Sequence, residues 1–508
     1  MNTKITKSTR VAKNTILLYI RMMVVMLINL YTVRLVLNAL GVEDYGVYNV
    51  IAGVIIMLQS VSSVLSTATQ RFYSYSIGEN RPEYLKNIFS ASINIYVLFS
   101  FLVIVLGETI GLWFVNTQLV IPTERMIAAN YVYQFSIFSF VCTIIQVPYS
   151  AVTIAHEDMG IFAIISTLEA VLKLMFAWLL FIIPFDKLIF YGVFLFLIPV
   201  LSLILYMVIG HGKYAECHYQ KKIERSLYKK MLSFSGWTLF SSLAGTGINQ
   251  VNTILVNIFF GPVVNAARAI ALQINSAMSS FCASFLTAIK PPMIKSYAEG
   301  DHVYLNKIFY LSNKFVYYCL LLVCLPLLFE MDTVLELWLK IVDVQTVLFS
   351  RLILIYALIM SLNNPISIII QATGYVKEYS VFVEFFTLLS VPVTYILFKL
   401  GYPAYTTFVV MVIVAFAAHI VRLIYLKKYY NLFSYSEYIK LFILPAIFIT
   451  FVVFLLVGVV HFAISNALLR LCLTVLISVV STTLLTFLIG LSKNEKRMLK
   501  ALIVGMKR

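Results

Sequence analysis

The residues of this chain that could do chemistry stand in unusual company. Arg21, Arg34, Arg71, Lys173, Arg268, Lys314, Arg351 and Arg422 fall inside long apolar stretches, as do Glu108, Glu169 and Glu384. Charge at bilayer depth is expensive, so such residues face water, a partner or a ligand. A guanidinium binds phosphate or carboxylate through paired donors, so a group of arginines points to an anion. Glu169 and Glu384 are candidates for ion coupling, by carrying protons, or for plain pairing with Lys173 and other basic residues. For Arg71, Lys314, Arg351 and Arg422, close to the ends of their stretches, snorkelling and a structural role both stay open. Arg21 and Arg34, thirteen residues apart, lie roughly 220° round one helix and cannot point the same way unless the helix bends.

Uncharged polar residues mark faces. Asn14, Arg21 and Thr32 fall on one stripe, and Gln59, Ser62, Ser63, Ser66 and Gln70 on the next helix. Ser242, Thr246, Asn249 and Asn252 repeat the pattern, followed by Arg268, Asn275 and Ser279 with Gln273 beside them. Hydrogen bonding between helices is one use of such residues. Stripes at equivalent places in two halves, with arginines among them, predict a hydrated cationic cavity at the lobe interface, with Asn249, Asn252, Gln273 and Gln59 as candidate contacts for substrate.

The elements that must hold these residues are membrane helices. The chain is 61% hydrophobic and 12% charged, where a soluble domain has about 25% charged residues, and its mean hydropathy is +0.94. Fourteen apolar spans can be placed, at 12–39, 46–75, 88–115, 126–153, 160–183, 188–210, 234–259, 264–289, 306–329, 346–371, 379–399, 404–426, 438–461 and 467–490. Each is long enough to cross about 30 Å of hydrocarbon as a helix that satisfies its own backbone. The net charge of +16 is not a nucleic-acid signature, because Lys and Arg sit between spans rather than on one face. One side collects Lys4, Lys7, Arg10 and Lys13, then Lys221, Lys222, Arg225, Lys229 and Lys230, and a basic tail; the other carries only Arg125, Lys187, Lys340, Lys399 and Arg470. The positive-inside rule then puts both termini in the cytoplasm. No cleavage site follows the basic N-terminus, so no signal peptide is expected.

Short words recur across the two halves. Ser74-Tyr75-Ser76-Ile77-Gly78 returns as Ser296-Tyr297-Ala298-Glu299-Gly300, Leu112-Trp113-Phe114 as Leu337-Trp338-Leu339, and Pro148, Ala155 and Glu169 as Pro365, Ala372 and Glu384. Six spans separate the members of each pair, so the halves share one orientation and are related by an axis along the membrane normal. The expected organisation is an N-terminal lobe over 1–211, a basic linker over 212–233, a C-terminal lobe over 234–428, and two further helices with a basic tail over 429–508. The linker reads as an amphipathic stretch on the anionic leaflet or as a solvated connection. Six cysteines are scattered without CxxC or metal-ligand spacing, and no GxxxxGK[ST] motif is present, so no metal, nucleotide or other cofactor is expected.

Asn14 to Arg21 (NTILLYIR), Leu30 to Asn49 (LYTVRLVLNALGVEDYGVYN), Ala68 to Phe72 (ATQRF), Phe259 to Arg268 (FFGPVVNAAR) and Asn364 to Gly374 (NPISIIIQATG) resemble the O-antigen and polysaccharide flippases of the multidrug/oligosaccharidyl-lipid/polysaccharide exporter superfamily. The resemblance implies an all-α membrane fold of fourteen helices, two six-helix lobes round a central cavity and two added C-terminal helices. It implies, as substrate, an undecaprenyl-pyrophosphate-linked oligosaccharide moved from the cytoplasmic to the periplasmic leaflet of a bacterial inner membrane by alternating access. A polysaccharide polymerase and chain-length proteins would be partners, beside membrane lipids, with no nucleic acid. Cavity arginines of such flippases lie on the first, second, seventh and eighth helices; Arg21, Arg34, Arg71 and Arg268 match, and the seventh helix here has none. Two other readings compete. A cation-coupled drug antiporter of the same fold would want carboxylates in its cavity, and a membrane polymerase would want a sizeable extramembrane loop with catalytic acids, for which the connection between the sixth and seventh spans is short.

Overall fold

The computed structural model describes residues 2–117, 121–221, 224–339, 344–492 and 495–496, without the side chains of 2–9, 30, 33, 37, 42–43, 46, 49–50, 52–61, 262 and 266. Among the described residues all regular structure is helical. Twelve helical segments there are long and apolar enough to cross a membrane. The expected spans 46–75 and 234–259 are not among those segments. The first includes the undescribed side chains of 46, 49–50 and 52–61, and the second carries Thr246, Asn249, Gln250, Asn252, Thr253 and Asn257. Polar residues thus dilute the hydropathy of one of the helices where the sequence expects a water-lined face.

The chain divides into two compact units, Lys13–Leu239 and Met1–Ala12 with Phe240–Arg508. In the first, α1 (Asn2–Gly78) is followed by α2 (Pro82–Leu106), the short α3 (Leu112–Thr117), α4 (Met126–Ala155), α5 (Met159–Leu179) and α6 (Lys187–Lys213). α4 packs along α6 and against α2, around a core that includes Val132, Tyr133, Ile137, Phe140 and Ile144. One end of this unit is tied by Arg125, which donates to Asp44 at 2.6 Å and to Asp186 at 2.7 Å. Asp186 also caps α6 by accepting from the backbone N–H groups of Leu188 and Ile189.

The second unit begins within α7 (Arg225–Ala298) and continues through α8 (His302–Leu339), α9 (Val344–Ser361), α10 (Asn363–Thr373), α11 (Val376–Leu388), α12 (Ser390–Lys399), α13 (Thr406–Tyr429), α14 (Tyr435–Tyr438), α15 (Leu444–Ala463) and α16 (Ala467–Leu485). α9 packs on α8 and α13, and the last two helices lie on α8. Buried ions fasten them. Lys314 of α8 reaches Glu495 at 2.9 Å, and Glu330, fully buried at a break in α8, accepts from Arg470 of α16 at 2.9 Å and pairs with His461 of α15 at 2.7 Å. Lys314 is therefore a structural cation and does not snorkel. Arg351 is likewise engaged, donating to the carbonyl of Leu328 at 2.9 Å.

The repeat is written into the backbone. α1 and α7 each break at one glycine, Gly41 with φ 79° and ψ 172°, and Gly261 with φ 80° and ψ −176°. That region of conformational space is open essentially to glycine alone, and the two positions differ by 220 residues (261 minus 41). The turns after these helices match as well. Arg81 donates its N–H to Ser76 and Asp301 to Ser296, at 3.1 and 3.0 Å, with left-handed Asn80 and Gly300 at equivalent places. The register implied by the recurring word must shift by two residues: the sequence pairs Gly78 with Gly300, whereas the backbone pairs Asn80 with Gly300. Asparagine tolerates the left-handed conformation, which hides the equivalence from a search for glycine.

Of the expected linker 212–233, the described stretch from Tyr214 is non-helical and folds onto the first unit, and from Arg225 on it is the start of α7, with Leu227 and Met231 buried and Lys229 and Lys230 exposed. Tyr214 donates to Asp158 at 2.6 Å and stacks on His156, whose ring meets Glu216 at 2.5 Å. Gln220 donates its N–H to Ser90, and the hydroxyl of Tyr228 accepts from Asn94. Its aromatic residues fold it onto the first unit.

Candidate functional site

In the first unit, α5 presents Phe162, Ser166 and Glu169 at helical spacing on one face. Arg21 lies against that face: Nε donates to the Ser166 hydroxyl at 2.6 Å and the guanidinium sits 4.7 Å from the Phe162 ring centre. Glu169 and Tyr206 are within electrostatic reach of it, and Glu169 accepts a short hydrogen bond from Ser202 of α6. Arg21 and Glu169, assigned separately to substrate and ion by the sequence, thus share one cluster, while Lys173 is exposed. Arg34 is exposed on the arm before Gly41 and does not join it. Arg71, 9% exposed, is held among the rings of Phe72, Tyr75 and Phe234 at 4.9, 4.8 and 5.5 Å. Gln59 lies outside the described side chains.

In the second unit the break at Gly261 positions the central residue. It folds the second arm of α7 back on the first, so that Arg268 reaches residues only 15 and 19 positions earlier. Nε donates to the Thr253 hydroxyl at 3.2 Å and Nη2 to the carbonyl of Asn249 at 3.4 Å. The guanidinium lies 5.2 Å from the Phe408 ring centre. Arg268 has 0% exposure, its Nη1 has no hydrogen-bond partner, and among the described residues it has no ion pair. Asn252, also 0% exposed, leaves both side-chain polar atoms unpartnered. A lone buried cation costs several kcal/mol of desolvation, and no carboxylate among the described residues offsets that cost at Arg268.

The side chains of Asn249 and Gln273 are exposed, as are Thr246, Gln250, Asn257, Ser276 and Ser280. At membrane depth an exposed amide or hydroxyl stripe needs water or a polar partner. Arg268 therefore lies beneath a polar face, not on it. In the first unit, at the same 220-residue offset, Tyr48 stands where Arg268 does and stacks edge-on to Tyr191 at 4.9 Å, as Arg268 stacks on Phe408. The fold thus places an aromatic ring under this position in both units and a cation in only one.

Glu384 belongs to a separate group. It accepts from Thr387 at 3.0 Å, with Ser241 as a second donor and Arg422 within electrostatic reach. Arg422 donates to the Tyr379 hydroxyl at 3.2 Å, and that hydroxyl lies 2.9 Å from Ser367. One turn before Arg422, His419 meets the Oδ1 of Asn363 at 2.8 Å. His419, Asn363 and Tyr379 carry no charge signal in an apolar run, and only the packing of α10, α11 and α13 reveals them.

Among the described residues no group of His, Cys, Asp and Glu could hold a metal ion. No curated protein matches the chain. The solved structures of similar fold are membrane transporters. They include an outward-facing multidrug resistance transporter of the MATE family (15% identity, TM-score 0.71, 83% of this chain and 95% of that one) and a MATE transporter in a bent conformation (15%, 0.72, 84% and 97%). A third is a superfamily transporter from Pyrococcus furiosus, for which reversed binding-pocket polarity is said to suggest a different function (16%, 0.69, 83% and 95%). At these identities the likeness carries the fold alone. Residues 11–297 match the family model described as polysaccharide biosynthesis protein. With more than half of the chain inside that match, and twelve helical segments among the described residues long and apolar enough to cross a membrane, the protein is a multi-pass membrane member of the polysaccharide biosynthesis protein family.

Proposed function

We propose that this protein is a flippase that carries an undecaprenyl-pyrophosphate-linked oligosaccharide, an O-antigen or other surface-polysaccharide repeat unit, from the cytoplasmic to the periplasmic leaflet of the bacterial inner membrane. The observation that carries the reading is Arg268, a fully buried guanidinium with an unpartnered Nη1 and no ion pair among the described residues. Pyrophosphate or an acidic sugar supplies the missing counter-charge through paired hydrogen bonds. Asn252, Asn249 and Gln273 offer amides for sugar hydroxyls, and Arg21 offers a second guanidinium. Because Arg268 is sealed here, substrate reaches it only when the Gly261 arms or their neighbours open, as alternating access requires. The lipid tail stays in the bilayer, and polymerase and chain-length proteins take up the product outside.

An organic cation finds little here. Glu169 and Glu384 are each engaged by hydroxyl donors and face an arginine. The reading is tested by deleting the gene and locating the lipid-linked repeat unit. Accumulation on the cytoplasmic face is expected; accumulation on the periplasmic face would assign the protein to a later step.

A further inference from the structure

Within the second unit, Arg422 is the hub of a network that Arg268 does not enter. On one side of it stands Glu384, held by Thr387 and Ser241; on the other stands His419, one helical turn away. His419 is 4% and Arg422 8% exposed, and Glu384 of α11 is half-buried. Arg422 Nη1, His419 Nε2 and the hydroxyl of Tyr438, whose ring centre is 6.3 Å from that of His419, have no hydrogen-bond partner.

Asn363 decides how the imidazole is set. Its Nδ2 donates to Met360, so its Oδ1 faces His419 Nδ1 and accepts from it. Nε2 then carries the lone pair and has no hydrogen-bond partner, with Arg422 one helical turn on and within electrostatic reach. The other titratable or charged groups facing the network are Tyr356, Tyr379 and Tyr438; Ser241, Thr387 and Asn363 are neutral.

Charge then limits the network. With Glu384 ionised and His419 neutral, Arg422 is balanced. One added proton, on the carboxylate or on Nε2, leaves a single excess positive charge; a second would set an imidazolium beside a guanidinium with no anion left, in a low-dielectric interior where like charges repel strongly.

We propose that Glu384, Arg422 and His419 form a buried centre in the C-terminal unit that binds one proton at a time, and that this proton is the coupling ion of transport. The second half of that statement rests on the transporter reading; the first does not. His419 is the proton acceptor at Nε2 and Glu384 the acceptor at its carboxylate, with the proton taken from and returned to water when the network is opened. Arg422 transfers nothing and sets the count by its fixed charge.

The test needs no glycolipid. Purified full-length protein in lipid nanodiscs, labelled in its histidines, is titrated by NMR, with the His419→Gln spectrum assigning the His419 signal. Removing the carboxylate in Glu384→Gln is expected to lower the pH at which His419 protonates by about one unit or more. Removing the guanidinium in Arg422→Met is expected to raise it. Opposite shifts from two neighbours distinguish a charge-coupled centre from loosened packing, which moves both the same way. An unchanged His419 titration in both variants overturns the proposal, as does a carboxyl-stretch infrared band for Glu384 that persists while His419 is charged. Should either variant fail to fold, that infrared measurement on the wild-type protein decides alone. If the centre titrates as expected but proteoliposomes show no pH-gradient-dependent movement of lipid-linked saccharide, the transport role fails and the proton site stands.

Discussion

Replacing Arg268 by methionine separates binding from folding, because the two readings of this residue differ in sign. If Arg268 is a structural contact, Met removes hydrogen bonds at 3.2 and 3.4 Å and a ring contact at 5.2 Å. At these distances the hydrogen bonds belong at the weak end of the charged range, about 1.5 kcal/mol each, and the ring contact adds up to about 2 kcal/mol. Against that loss of roughly 5 kcal/mol stands the desolvation of a guanidinium with no counter-ion, also several kcal/mol, which Met abolishes while filling similar volume. We therefore expect Arg268→Met to unfold within about 2 kcal/mol of the wild type in chemical denaturation from detergent or nanodiscs. Transport of lipid-linked saccharide should fall at least about tenfold, the equivalent of one lost charge-assisted hydrogen bond. Glu330→Gln is the contrasting case. It leaves Arg470 facing a neutral, fully buried amide and should cost about 3–5 kcal/mol. A loss of that size in Arg268→Met, or normal transport by it, would refute the assignment of Arg268 to the substrate.

Three further outcomes follow from particular residues. Gly41→Ala and Gly261→Ala impose a side chain on backbone at φ 79° and 80° and should each cost about 1–3 kcal/mol, although an added Cβ would meet nothing within 4 Å at either position; denaturation midpoints check this. At Glu216, burial raises the carboxyl pKa, but the His156 contact, a backbone hydrogen bond and the His156 charge outweigh it and hold the group below the usual glutamate range. Its stabilising contribution is therefore complete above the ordinary glutamate pKa near 4 and lost as pH falls through the lower folded value, so thermal stability should decline in that acid window and decline less in Glu216→Gln. Burial first, then the Glu216 charge, pushes the Cys217 thiol up to about 12, so maleimide at neutral pH should leave Cys217 unmodified until the protein unfolds, as mass spectrometry of digests would show.

Much of the fold was legible because lipid leaves few choices. A run such as Leu444–Ala463 can only be a helix there, and twelve of the expected spans reappear as long apolar helices. The repeat was legible as well, yet its register was misread at Ser74–Gly78, since Asn80 does the work that Gly300 does in the other half. Gly41 lies within Leu30–Asn49 and Gly261 within Phe259–Arg268, but nothing in their neighbours announces a broken helix. The candidate site was legible only as a set of residue types. Which arginine is sealed and which exposed depends on the hinge that brings Arg268 against Asn249 and leaves Arg34 outside. The ion pairs of Glu330 and Lys314 join residues 140 and 181 positions apart, a separation that no local pattern encodes. His419 is a single histidine in an apolar run, a pattern that carries no functional signal on its own.

The central claim is that the buried cation of the C-terminal unit serves an anionic lipid-linked glycan. It is tested most directly by reconstituting the purified protein into proteoliposomes that carry fluorescent undecaprenyl-pyrophosphate-linked oligosaccharide in one leaflet, and measuring its appearance in the other by quenching from outside. The wild type should move the lipid and Arg268→Met should not, with organic cations left untransported by both. Transport of organic cations with the glycolipid stationary would contradict the account.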